Sequence, residues 1–176
     1  AMRDLALVGS VACGAACELV AQRNLSIMGS AITMGDLSLS TRTGDLAITG
    51  EVTTAGTLIA TSAANALMGG KLNVQRDFLT SAANDLTVAG QTSVQGMGTL
   101  QAGNDINGDG TAVFGGDVFL NTGRNTALTG ALGGQNVSIH AANSAGLNNV
   151  QATKSLSVTA DGQAGGGDVV VSGDAV

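Results

Sequence analysis

The chain has 176 residues, among them 27 Gly, two Cys and three Phe but no Pro, Trp or Tyr, and seven basic against 13 acidic residues give a formal net charge of −6. That balance lacks the basic patch that nucleic acid, heparin or an anionic membrane surface requires. No apolar run reaches membrane-spanning length and no signal peptide is recognisable; the length suits one domain with a sizeable core.

The first element, Arg3-Asp4-Leu5-Ala6-Leu7-Val8-Gly9, states a phrase that returns along the chain. It is echoed at Arg23–Gly29, Gly44–Gly50 and Asn84–Gly90, and more loosely at Gly35–Leu39, Gly116–Leu120 and Gly167–Val171. Each copy is a pair of turn residues followed by an apolar–any–apolar triplet, which predicts a short strand entered through a turn. Three apolar columns then set the period. The first is Leu5, Leu25, Leu46, Leu67, Leu86, Ile106, Leu128, Leu147. Downstream of it run Val11, Ile32, Val52, Leu72, Val94, Val113, Leu132, Val150, and then Leu19, Leu37, Leu58, Phe78, Leu100, Val118, Val137, Leu156. Three strands per coil of about 20 residues predict an all-β, right-handed parallel β-helix of about eight coils. At the spacing of any sheet, such a stack is a rod about 40 Å long.

The turns follow the same register. Gly44, Asn65, Asn84 and Asn104 stand two residues before first-column anchors, and Gly35, Gly56, Gly98 and Gly116 stand before the last column. Gly and Asn take the left-handed backbone most readily, so a positive φ is expected at these corners. A narrow interior of this kind favours small aliphatic side chains and leaves little room for aromatic rings. The absence of Pro suits strands whose amides all bond to the next coil.

Few residues suggest chemistry. Asp105-Ile106-Asn107-Gly108-Asp109-Gly110 matches the first half of a calcium loop, with Asp105, Asn107 and Asp109 as ligands. The acidic twelfth position falls on Gly116, and Ile106 is also a core anchor, so a polar turn is the simpler reading. His140 follows Ile139 and so points outward, and no Asp or Ser recurs beside it in aligned coils. Asp36, Asp45, Asp77, Asp85, Asp117 and Asp168 all occupy the position before a strand, which is where turn residues belong. Carbohydrate-cleaving β-helices use clustered carboxylates and aromatic platforms; neither is evident, so no enzyme and no cofactor or metal is expected.

Residues 35–50, Gly-Asp-Leu-Ser-Leu-Ser-Thr-Arg-Thr-Gly-Asp-Leu-Ala-Ile-Thr-Gly, resemble the repeats of filamentous haemagglutinin. Such repeats build the shafts of large exoproteins exported by two-partner secretion, a group that includes adhesins and contact-dependent growth-inhibition effectors. The likeness spans about Asp4 to Val171. The chain lacks the Asn-Pro motifs of the family's secretion domain and the Val-Glu-Asn-Asn motif that precedes a growth-inhibition toxin. Ala1-Met2 reads as an expression scar, with the repeat already running by Arg3, and the resemblance implies that residues 3–176 are an interior shaft segment cut from a longer protein. It implies passage through an outer-membrane two-partner transporter and a place outside a Gram-negative cell. There the shaft would project a receptor-binding or toxin module toward a host or neighbouring cell, as a monomer without membrane insertion or nucleic acid. The alternative is a shaft with its own carbohydrate- or protein-binding face, for which outward Ser38, Ser40, Thr41 and Thr43 are candidates.

Cys13 and Cys17 are the one irregularity. The arc from Val11 to Leu19 is longer than its counterparts, such as Ile32 to Leu37, and the extra residues hold both cysteines. Without companion ligands the pair makes a poor zinc site. In an exported protein it reads as a disulfide closing a small bulge; the other reading is two buried thiols.

Overall fold

In the computed structural model, which describes residues 3–162 and 168–171, the chain is a parallel β-solenoid, with no helix among the described residues. Ala1, Met2 and Gly167, the first residue of the last repeated phrase, lie outside the described residues. Up to Thr122 each coil has a three-residue strand, a four-residue strand and a five-residue strand, as in Leu46–Ile48, Glu51–Thr54 and Leu58–Ser62. These form the first, second and third faces. Every strand pairs in parallel with its counterpart one coil away, so Ala66–Met68 lies between Leu46–Ile48 and Leu86–Val88. From Asn125 to Ala141 and from Ser144 to Ala160 the strand runs through the corners without a break.

Alternation explains the interior. On the first face, positions one and three of each triplet point inward, as at Leu25 and Ile27 or Leu46 and Ile48, all essentially inaccessible to solvent. Each fully buried side chain of this size contributes roughly 1.5–3 kcal/mol. Leu25, Leu46, Leu86 and Ile106 stand in one register column, as expected. Leu67 does not. Ala66 pairs with Leu46 and Leu86, and Leu67 faces outward beside Ala47 and Thr87. Leu128 is buried but occupies the third position of its triplet, while Thr126 stands above Ile106.

The other columns slip likewise. Ala31 and Ala112 take the inward positions, leaving Ile32 and Val113 about half exposed. Cys17 and Gly98, not Leu19 and Leu100, pair with the first inward residues of the third face. The arc holding Cys13 and Cys17 is therefore as long as its neighbours: Cys17 pairs with Leu37 as Val11 pairs with Ala31, and no bulge exists. The interior also accepts two of the three aromatic rings. Phe78 is fully buried, and the Phe114 ring fills the space that a side chain on Gly98 would need.

Candidate functional site

The three corners differ, and they carry most of the chain's charge. Between the first and second faces runs a glycine column: Gly9, Gly29, Gly50, Gly70, Gly90, Gly110 and Gly130. A Cβ on any of the last six would collide with the carbonyl oxygen of the glycine one coil earlier. Those carbonyls accept amides from the coil above: Lys71 N donates to Gly50 O at 3.0 Å and Gln91 N to Gly70 O at 3.0 Å. Backbone rides on backbone, so the side chain must be absent.

At the corner entering the first face, the residue before each anchor forms a polar ladder: Asp4, Asn24, Asp45, Asn65, Asp85, Asp105, Asn125, Ser144. The Asp45 amide donates to Asn24 Oδ1 at 3.0 Å, Asn65 N to Asp45 Oδ1 at 2.9 Å, and Asn125 N to Asp105 Oδ1 at 3.0 Å. Asn side chains add a second donor, as from Asn65 Nδ2 to Asp45 Oδ1 at 3.0 Å. Arg23 and Arg124 each clasp a ladder carboxylate with two nitrogens, at Asp4 and Asp105. The arginine hydrogen bond is the main cause holding both carboxyls below the ordinary range, and the backbone amide of the next coil acts in the same direction. The corner entering the third face has a shorter version, in which Asp36, Asp77 and Asp117 accept the amides of Thr57, Met97 and Asn136.

These ladders account for Asp36, Asp45, Asp77, Asp85 and Asp117 before strands, whereas Asp168 contributes its backbone carbonyl to the Ala145 amide. They also correct the corner expectation. Among the described residues only Gly162 has a positive φ, of 54°. Gly44, Asn84 and Asn104 have ordinary backbone, and Asn65 belongs to the ladder row instead of theirs. Gly44 is small because a side chain there would strike Asn24 Oδ1 and the Arg23 carbonyl.

The three candidate calcium ligands are not brought together. Asp105 is taken by Arg124 and Asn125, Asn107 points outward on the first face, and Asp109 sits at the glycine corner. Among the described residues no three His, Cys, Asp or Glu side chains are placed to share a metal ion. Of the hydroxyls expected on the surface, Thr41 is buried and donates to Gly44 O at 2.6 Å, and Thr43 donates to Gln22 O. Ser38 and Ser40 do face outward. His140 has partners that its own sequence context hides: Asn121 Oδ1 at 3.2 Å from Nδ1 and Asp161 Oδ2 at 2.9 Å from Nε2. Cys13 and Cys17 are joined as a disulfide with Cα atoms 6.1 Å apart.

A surface feature emerges only when the register is known. On the third face Ile59, Leu79, Thr99 and Phe119 stack in successive coils. The three apolar members are 40%, 42% and 46% exposed. The parallel outward row beside it is Thr61, Ser81, Gln101, Asn121 and His140. From Leu37 to Ala160 no Asp, Glu, Lys or Arg projects from this face.

The fold and its corners define a β-solenoid shaft, a repeat structure whose regularity is its principal chemical feature. No family model matches the chain, and no curated protein or solved structure matches it.

Proposed function

We propose that the chain is a rigid spacer, an interior shaft segment of a large exported bacterial surface protein of the filamentous haemagglutinin kind. The observation that carries the reading is the polar ladder from Asp4 to Ser144, which ties the amide or side chain of each coil's corner to the coil before it. Together with the strand pairing it makes bending or local opening break several bonds at once. That is how a one-dimensional stack becomes stiff, because each coil is held only by its neighbours. The mechanism is mechanical: the shaft sets the distance between a cell and the receptor-binding or toxic module it carries. The shaft emerges unfolded through an outer-membrane two-partner transporter, and coil-by-coil folding outside the cell opposes its return.

Two measurements test the reading. Small-angle scattering is expected to give a rod about 40 Å long, and limited proteolysis to leave the coils intact; a compact or readily digested chain contradicts a spacer. In its bacterial host, protease added to intact cells should cut the parent protein only when the transporter gene is present. Equal accessibility with and without the transporter overturns the export route.

A further inference from the structure

We propose that the third face is a self-association surface on which a second copy of the chain docks antiparallel. The strand segments of the face hold no Asp, Glu, Lys or Arg from Leu37 to Ala160, although the chain has a net charge of −6, and the Asp161 carboxylate reaches its edge at His140. Like-charge repulsion, which would keep two acidic chains apart, is therefore weak there; the first face is equally free of charged side chains, but Leu67 is its one large apolar outward side chain. At its centre lies the exposed apolar row Ile59, Leu79, Thr99, Phe119, with the polar row Thr61, Ser81, Gln101, Asn121 alongside.

The occupant is argued from self-matching. A two-fold axis along the strand direction, placed between the coils of Leu79 and Thr99, turns the face onto itself with the coil order reversed. Row then meets row. Ile59 falls opposite Phe119 of the second copy and Leu79 opposite its Thr99. In the polar row Thr61 falls opposite Asn121 and Ser81 opposite Gln101. One symmetry operation sets Ile59 against Phe119 and the polar row against itself, and leaves Thr99, the one polar member of the central row, to meet Leu79 through its methyl group. An extended glycan is a poorer match, because Phe119 is the only aromatic ring the face presents. Strands five residues wide over about seven coils give roughly 550 Å² per copy, or about 1,100 Å² in total, just above what a specific interface needs. A weak, reversible dimer follows, in place of the monomer that the resemblance implies. The proposal does not rest on the spacer reading, and its failure leaves that reading standing.

The test uses the whole chain. Sedimentation velocity from about 1 μM to about 1 mM is expected to show a concentration-dependent dimer. Leu79→Lys with Phe119→Lys, both at outward positions, should weaken it at least tenfold with an unchanged circular dichroism spectrum. For orientation, Ile59→Cys chains mixed with Phe119→Cys chains should cross-link to each other under mild oxidation, and neither variant with itself. The two positions on one chain lie three coils apart, about 14 Å. A chain that stays monomeric at its highest soluble concentration overturns the proposal and leaves the face to a partner of another kind. Cross-linking of Ile59→Cys chains to one another overturns the antiparallel arrangement.

Discussion

The glycine corner and the Asp/Asn corner solve one problem in opposite ways. Both must turn the chain sharply while keeping successive coils at strand spacing, and both must satisfy the polar groups of the turn. At Gly50, Gly70 and Gly90 the backbone of one coil sits directly on that of the last, and the carbonyls bond upward without help. At Asp45, Asn65 and Asp85 a short side chain fills the same gap and supplies the acceptor itself. The first corner is specified by what cannot fit and the second by what must bond. Substitution should therefore be far less forgiving at the first.

Gly70→Ala tests the steric half. The added methyl would collide with the Gly50 carbonyl, which is backbone paired to Lys71 and cannot swing aside. Overpacking of this rigidity is expected to cost about 3 kcal/mol or more. A shift below about 1 kcal/mol in denaturant unfolding would mean that the corner relaxes and that the contrast is false.

The bonding half is tested at Asp105, which accepts from Arg124 and from the amide and side chain of Asn125. Asp105→Ala should cost about 2 kcal/mol through the orphaned donors. Asp105→Asn should cost less, because Asn already serves the same role at positions 24, 65 and 125. If Ala and Asn are equally harmful, the acceptor oxygen is not what the corner needs.

Acid sharpens the same point. Asp105 and Asp4 titrate below the ordinary carboxylate range when folded, chiefly through Arg124 and Arg23. Their stabilisation is present above the unfolded value of about 4 and is lost as pH falls through the lower folded value. The melting temperature should thus fall with acidification below about pH 4. Arg124→Gln should flatten part of that fall while lowering stability at pH 7. An unchanged acid limb would show that the Arg124 pair contributes nothing.

How much of this was legible in the sequence follows from the same two corners. Period, parallel stacking and three faces are visible because the Gly-Asp-Leu phrase recurs and the alternation is clean. The exact inward residue is less visible, since each triplet offers two inward positions and the column of large residues can pass through either. Ala66 and Ala31 hold inward positions beside the larger Leu67 and Ile32, and a slip of one residue turns a side chain to the other face. Small residues inside cannot be told from small residues outside by composition. The Asp/Asn ladder was readable as turn chemistry but not as bonding, because its partners lie a coil away and depend on that register. The third-face column is in register at Leu58, Phe78, Val118 and Val137, and only Leu100, standing where Gly98 belongs, hides Thr99 from the Ile59–Phe119 row.

The smallest expected effect is at the first coil, where a third solution appears. Cys13 stands in the inward column of Thr33 and Thr54, whose hydroxyls donate to Gly35 O at 2.9 and 2.6 Å and bind that corner across coils. Cys17 stands in the column of Leu37 and Leu58. The disulfide thus spans a corner that later coils hold with hydrogen bonds and packing, so its loss should be largely repairable. The closed loop has a sequence separation of only four, and chain entropy limits its contribution to about 2 kcal/mol. The half-buried outer coil, whose opening costs least, should reduce the net effect to about 1 kcal/mol. Replacing the pair by the residues of the next coil, Cys13→Thr with Cys17→Leu, should retain the fold and unfold near the parent's midpoint. Intact mass after alkylation without reductant is expected to show no modified cysteine in the parent. Two alkylated thiols there would remove the bridge from the account. A double variant that melts as low as Gly70→Ala would show that the first coil depends on its covalent tie as strictly as the glycine corner depends on its missing side chain.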